Sequence, residues 1–260
     1  MLLQGKVGIV SGIGPGMGRD ISLAFAREGA DVVLVGRTQA KLDAVAAEVE
    51  SLGRRALPLV ADIADEAACV AVAEQAVAEL GGVHIVVNNA YDGGDAKTFL
   101  EADFDRWRQT MEVNLFGSLA MTRACVPALE ASGDGRVIMI NTMSTQRIQP
   151  RWGAYAASKG ALATVTKTLA LELGSKGIRV NGVHPGYIYG DSVEWYFNHQ
   201  AEKRGITFQE VYDEVASETC LGYLPHSEEI AGTVVFFASP LAKPVTGQMI
   251  GVNAGHWFNG

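Results

Sequence analysis

Tyr155 and Lys159 stand four residues apart in Tyr155-Ala156-Ala157-Ser158-Lys159, inside a segment of helical composition. Residues at i and i+4 share a helix face, so a phenol and an ammonium can point into one pocket. An unperturbed tyrosine has a pKa near ~10, which leaves about one phenol in a thousand ionised at neutral pH. A lysine charge beside it stabilises the phenolate and draws that pKa toward working range. Such a pair can give a proton to a carbonyl or take one from an alcohol. Tyr-x-x-x-Lys also arises in amphipathic helices that do no chemistry. The surrounding elements therefore decide whether the pair has a partner.

Those elements alternate. Short β-branched runs at Val7–Val10, Val32–Val35, Leu57–Val60, Ile85–Val87, Val137–Ile140, Ile178–Val183 and Met249–Val252 read as strands. Helical spacing separates them. Ile21, Ala24 and Phe25 form one face, which Gly29 ends. Further helices are expected over Lys41–Leu52, through Val70 to Leu80, and over Phe104–Leu129, Gly153–Leu173 and Glu228–Ala238. Strands apolar on both faces and separated by helices imply a parallel sheet covered on both sides. Right-handed crossovers make this an α/β fold of the Rossmann type, a doubly wound sheet in three α/β/α layers. One domain over residues 1–260 is expected, since no linker, repeat or low-complexity segment divides it. Gly190 to Gly222 breaks the alternation and carries Trp195, Tyr196, Phe197 and Tyr212. Near the carboxyl ends of the strands such an insert reads as a substrate lid, or as a helical pair packing its own aromatics.

Ser11-Gly12-Ile13-Gly14-Pro15-Gly16-Met17-Gly18 follows the first strand and opens the first helix. Glycines there let the backbone approach a pyrophosphate, and the helix N-terminus offers free N–H groups. At the end of the second strand an acidic side chain would bind a ribose 2′-hydroxyl and repel a 2′-phosphate. This chain has Gly36-Arg37-Thr38 instead, with a guanidinium suited to phosphate and a threonine hydroxyl beside it. NADP(H) is therefore the favoured cofactor and NAD(H) the alternative.

Bulk properties exclude other classes. A net charge of −8 and a pI near 5.2 argue against nucleic-acid binding. Cys69, Cys125 and Cys220 are odd in number and lack a Cys-x-x-Cys spacing, as expected of reduced thiols in a cytoplasmic protein without a metal site. No apolar run approaches the ~20 residues of a membrane span.

Together these features resemble the short-chain dehydrogenase/reductase family over essentially the whole chain. The resemblance rests on the Ser11–Gly18 turn, Asp62-Ile63 after the third strand, Asn88-Asn89-Ala90 after the fourth and Asn114 in the long helix. It also rests on Tyr155 with Lys159, Pro185-Gly186 with Ile188, and Thr246-Gly247-Gln248 before the last strand. It implies hydride transfer between a nicotinamide and a secondary alcohol or ketone. Tyr155 is then the general acid or base, and Lys159 binds the nicotinamide ribose and lowers the Tyr155 pKa. Asn114 holds a water that relays protons. Asp62 and Ile63 contact adenine, Ser11, Gly12, Gly16, Met17, Gly18, Asn89 and Ala90 shape the nucleotide site, and Pro185, Gly186 and Ile188 hold the carboxamide. The resemblance further implies a homotetramer built through the long helices.

The chain departs from the family pattern in places. The family's serine lies thirteen residues before the tyrosine, where this chain has Thr142; Ser144 stands two residues later. Either hydroxyl can orient a carbonyl, and Thr142 is preferred. Tyr91 replaces a glycine beside the nicotinamide, and Gly190 replaces a threonine that Ser192 can substitute. The aromatic insert and Trp152 point to a bulky or cyclic apolar substrate. The alternative is a cofactor-binding sensor with little or no catalysis. A lyase or epimerase would need a larger substrate domain than this chain provides.

Overall fold

The computed structural model describes residues 1–258. Its strands are β1 (Val7–Ser11), β2 (Asp31–Gly36), β3 (Ala56–Val60), β4 (Ile85–Asn88), β5 (Gly135–Ile140), β6 (Ile178–Pro185) and β7 (Met249–Val252). They pair in parallel in the order β3-β2-β1-β4-β5-β6-β7. The helices are α1 (Met17–Arg27), α2 (Gln39–Ser51), α3 (Glu66–Leu80), α4 (Phe104–Met111), α5 (Ser118–Ala131), α6 (Gly153–Leu173), α7 (Asp191–Arg204), α8 (Phe208–Ser217) and α9 (Ser227–Ala238).

Every residue of β1, β2, β4 and β5 is buried, because helices cover both faces. Alternate strand residues divide between two cores, as the twofold period of a strand requires. Val10, Leu34, Val87 and Ile138 pack with α1, α2 and α9 on one side. Ile9, Val33, Val86 and Val137 pack with α3, α5 and α6 on the other. The chain runs outward from β1 to β3, then returns to lay β4 against β1. That reversal opens a crevice at the carboxyl ends of β1 and β4, where doubly wound folds bind nucleotides. The register places Ser11 beside Asn88, Ile140 beside Val183 and Pro185 beside Val252. The residues that follow these strand ends therefore meet along one rim. No helix among the described residues is long and apolar enough to cross a membrane.

Two expectations change. Phe104–Leu129 is not one regular helix: α4 and α5 are joined by a π-helical segment, Glu112–Gly117, and α5 continues to Ala131. β6 runs two residues past Val183 and ends on Pro185. The insert after Gly190 folds as α7 and α8 around a small core of its own, with Phe197, Ala201, Val211 and Leu224 buried. Phe197 and Tyr212 serve that core, while Trp195 stays exposed and stacks on His199.

Candidate active site

The glycine turn divides into a packed half and an open half. Ser11 is buried at the end of β1, where its hydroxyl donates to Val87 O and accepts from Asn89 N, both at 3.3 Å. Gly12 has φ +83°, and a Cβ there would lie 2.4 Å from Ala90 Cα. A Cβ on Gly18 would lie 2.4 Å from Gly12 O, and the Asn89 amide donates to that same oxygen at 2.8 Å. Ser11, Gly12, Gly18, Asn89 and Ala90 thus lock the turn onto β4. Gly16 differs: a Cβ there would meet nothing within 4 Å. Gly16 caps α1 with no side-chain hydrogen bond, and Met17 begins the helix. The uncapped N–H groups beside this open space are suited to a dinucleotide's pyrophosphate.

Arg37 and Thr38 are exposed on the rim beside this turn. The Arg37 guanidinium lies 4.0 Å from Asp62 Oδ2, and Thr38 makes no capping bond to α2. Asp62 also accepts from Ala64 N at 3.0 Å. Ile63 parts company with its neighbour: its side chain is buried and packs where Gly117 leaves room in the π segment. Its side chain serves the core rather than the rim.

The titratable groups gather where β5, β6 and α6 converge. Asn141, directly after β5, accepts from Thr142 N at 2.8 Å and donates to Lys159 O at 2.9 Å. His184 on β6 donates Nδ1–H to Thr142 O at 2.8 Å, and burial holds its imidazole below the usual pKa. So held, Thr142 donates its hydroxyl to Ser144 Oγ at 3.2 Å and stands close enough to the Tyr155 phenol to lower its pKa. Ser144 returns its backbone N–H to Thr142 Oγ1.

Burial pushes the Tyr155 phenol up to about 12; the Thr142 bond opposes this and nearby Tyr91 adds to it. The expected lowering by Lys159 is not what the structure shows. Lys159 is buried, and its Nζ donates to Ile140 O at 2.8 Å. Burial alone draws its pKa down to about 7, so near neutral pH only about half of its cationic charge remains.

Asn114 lies within the π segment and is fully buried. Its amide accepts from Asp92 N at 2.7 Å and donates to Asp92 O and Ser158 Oγ, each at 2.9 Å. Its side chain therefore ties the strand β4 exit to α6. The Asn114 main-chain carbonyl accepts from Ser118 Oγ at 3.1 Å.

Aromatic rings border the phenol. Tyr91 meets Tyr155 edge-on at 6.3 Å and Trp152 meets it at 6.0 Å. A cavity of about 410 Å³ opens beside them, lined by Gln149, Arg151, Trp152, Tyr187, Tyr196 and Gln200 among others. Pro185 ends β6, and Gly186 packs against Asn253, where a Cβ would come within 2.8 Å. Ile188 turns back onto the α9 side of the core. Gly190 and Ser192 sit at the start of α7.

Asn141, Ser158, His184 and Tyr187 were not singled out in the sequence. The signal available was polarity out of place. His184 is a buried polar residue near the end of β6, and Asn141 directly follows β5, buried as well.

A family model described as enoyl-(acyl carrier protein) reductase matches residues 12–256. A 7alpha-hydroxysteroid dehydrogenase of Escherichia coli strain K12 is 32% identical over 253 residues, 97% of this chain and 94% of that protein. The structure of an L-sorbose reductase from Gluconobacter frateurii with NADPH and L-sorbose superposes with a TM-score of 0.92 at 30% identity, covering 98% of each chain. That of a xylitol dehydrogenase with NAD+ gives 0.91 at 26% identity, covering 98% of this chain and all of the other. The fold and these matches define a Rossmann-type oxidoreductase, and the chain belongs to the short-chain dehydrogenase/reductase family.

Proposed function

We propose that this protein transfers a hydride between NADP(H) and a secondary alcohol or ketone of ring size, with Tyr155 as the proton donor and acceptor. The observation that carries the reading is the Thr142 hydroxyl beside the Tyr155 phenol, which Trp152, 6.0 Å away, joins to the aromatic cavity. The nicotinamide, when bound, supplies or accepts the hydride. Gly12, Gly16 and Gly18 with the start of α1 would hold the pyrophosphate, and Asp62 and the Ile63 backbone would meet adenine.

In reduction the Tyr155 phenol gives its proton to the carbonyl oxygen, and in oxidation it recovers one from the alcohol. Thr142 orients that oxygen through its hydroxyl, and Ser144 holds the Thr142 hydroxyl in place. Lys159 binds the nicotinamide ribose. With a pKa near 7 it exists in both protonation states at neutral pH, which suits it to pass a proton toward Tyr155. The Asn114 main-chain carbonyl would hold a water on that route. Trp152, Tyr187 and Tyr196 supply flat walls for a ring, and Gln149 and Gln200 supply polar contacts at its edge. α7 is the lid of this cavity through Tyr196 and Gln200.

Arg37 supports NADP(H) over NAD(H), as a guanidinium without an ion-pair partner closer than 4.0 Å. Exposed Phe104 and Phe116 along α4 and the π segment, with Leu171 on α6, support assembly of a homotetramer through these helices. Turnover of acyclic, cyclic and fused-ring ketones with NADPH and NADH tests the function. NADPH-dependent reduction of the ring ketones is the expected result. Cofactor binding with no turnover of any ketone would favour a sensor instead.

A further inference from the structure

A second polar cluster lies behind the cavity wall and takes no part in the proton transfer. Arg147, on the loop that continues from Ser144, hydrogen-bonds Glu218 and contacts the His256 ring. His256 Nε2 lies 3.0 Å from Glu218 Oε2. Glu218 directly follows α8, and His256 follows β7. The contacts join segments 109 and 71 residues apart in the chain. A covalent neighbour cannot impose such a meeting; the three side chains join the loop, the helical pair and the C-terminal segment, beside a backbone bond from Leu221 N to Ala254 O at 3.1 Å.

His256 also makes a contact of another kind. Its ring stacks on Tyr187 with centroids 5.8 Å apart and planes inclined by 25°. Tyr187 in turn leans on Phe197 of α7 and lines the cavity with Trp152 and Tyr196. The His256 side chain is only 2% exposed, and its Nδ1 has no hydrogen-bond partner among the described residues. A buried ring nitrogen left unpaired costs stability that an apolar side chain would not. The ring stack and the one hydrogen bond that Nε2–H gives to Glu218 are what offset this cost.

We propose that His256 is a positioning residue for the substrate cavity. Its ring backs Tyr187, while Arg147 and Glu218 fix that ring relative to the Thr142–Ser144 loop and the α7–α8 pair. The C-terminal segment thereby determines how wide a ring the cavity accepts. This inference rests on the reading of that cavity as the substrate site.

The test compares wild type with His256→Ala and His256→Phe, the latter keeping a flat ring against Tyr187. Amide hydrogen exchange reads the wall without any substrate. His256→Ala is expected to speed exchange over residues 187–196 by about tenfold while β1 and β4 stay unchanged. Steady-state kinetics read the cavity. His256→Ala is expected to raise KM for a fused-ring ketone about tenfold, with kcat, NADPH affinity and KM for a small acyclic ketone within about twofold. His256→Phe is expected to restore KM to within about threefold of wild type. Unchanged exchange over 187–196 would overturn the inference, as would an equal loss on both ketones. If wild type reduces no ketone, the functional reading falls and the exchange result still decides the role of His256. Should His256→Ala not fold, Glu218→Gln takes its place; it is expected to speed the same amides about threefold, and no change overturns the inference.

Discussion

The hydroxyl of Thr142, two residues past β5, lies beside the phenol of Tyr155 in the first turn of α6 and lowers its pKa against the burial that raises it. A carbonyl oxygen that accepts from both is oriented and protonated by the same pair. Tyr155→Phe is expected to lower kcat by about a thousandfold with NADPH affinity retained. Thr142→Ala should cost about a hundredfold, and Thr142→Ser no more than about threefold. Ser144→Ala, which removes only the support behind Thr142, should cost less than about fivefold. Steady-state kinetics on one ring ketone checks all four. Equal losses at positions 142 and 144 would move the carbonyl donor to Ser144.

Lys159 carries a pH signature in stability. Its pKa is about 7 in the fold against 10.5 ordinarily. Between those values the unfolded chain binds a proton that the folded one does not. Stability therefore falls as pH is lowered from 10.5 toward 7, and below 7 this group adds no further change. Lys159→Met removes the dependence. The variant is expected to be more stable than wild type by a few kcal/mol near pH 7, an advantage that fades toward pH 10.5. Denaturant melts across that range measure it; parallel curves for the two proteins would refute the assignment.

The glycine turn should separate folding from cofactor binding. Gly12→Ala places a Cβ 2.4 Å from Ala90 at a left-handed φ of +83°, so a loss of roughly 3 kcal/mol is expected. Gly16→Val meets open space and should cost only about 1 kcal/mol. Its methyl groups fill the space assigned to the pyrophosphate. NADPH affinity is expected to drop at least about tenfold, close to 1.4 kcal/mol. Thermal melts with fluorescence titration distinguish the two outcomes.

Arg37 makes its prediction through cofactor choice. Arg37→Ala is expected to weaken NADPH about tenfold and leave NADH within about twofold, since only the former carries the 2′-phosphate. A parallel loss for both would instead mean that Arg37 acts on the adenine they share.

The strand order and the glycine turn were legible because both rest on local pattern. Runs such as Val32–Val35 bury both faces, and Gly12, Gly16 and Gly18 follow a strand directly. Tyr155 and Lys159 were legible as a pair, yet the partner of Lys159 was not. Ile140 O is a backbone acceptor nineteen residues away, and a carbonyl leaves no mark in sequence. Ile63 was read with Asp62, but the two side chains point apart because Gly117 leaves room for one of them. The Arg147–Glu218–His256 cluster unites three segments with no shared motif. The π segment was hidden for a different reason: over six residues, apolar spacing cannot separate a bond to i+4 from one to i+5.

That segment has a consequence for the chain's angular phase. A π turn carries about one residue more than an α turn, so α5 is rotated by about 100° from where an unbroken helix would set it. The rotation lets exposed Phe104 and Phe116 face outward while Met121 and Cys125 face the sheet. Removing one residue from Glu112–Gly117 would return the helix to regular winding and swing one of these faces out of alignment. Asn114 could then no longer reach both Asp92 and Ser158. Within this stretch the number of residues matters as much as their identity.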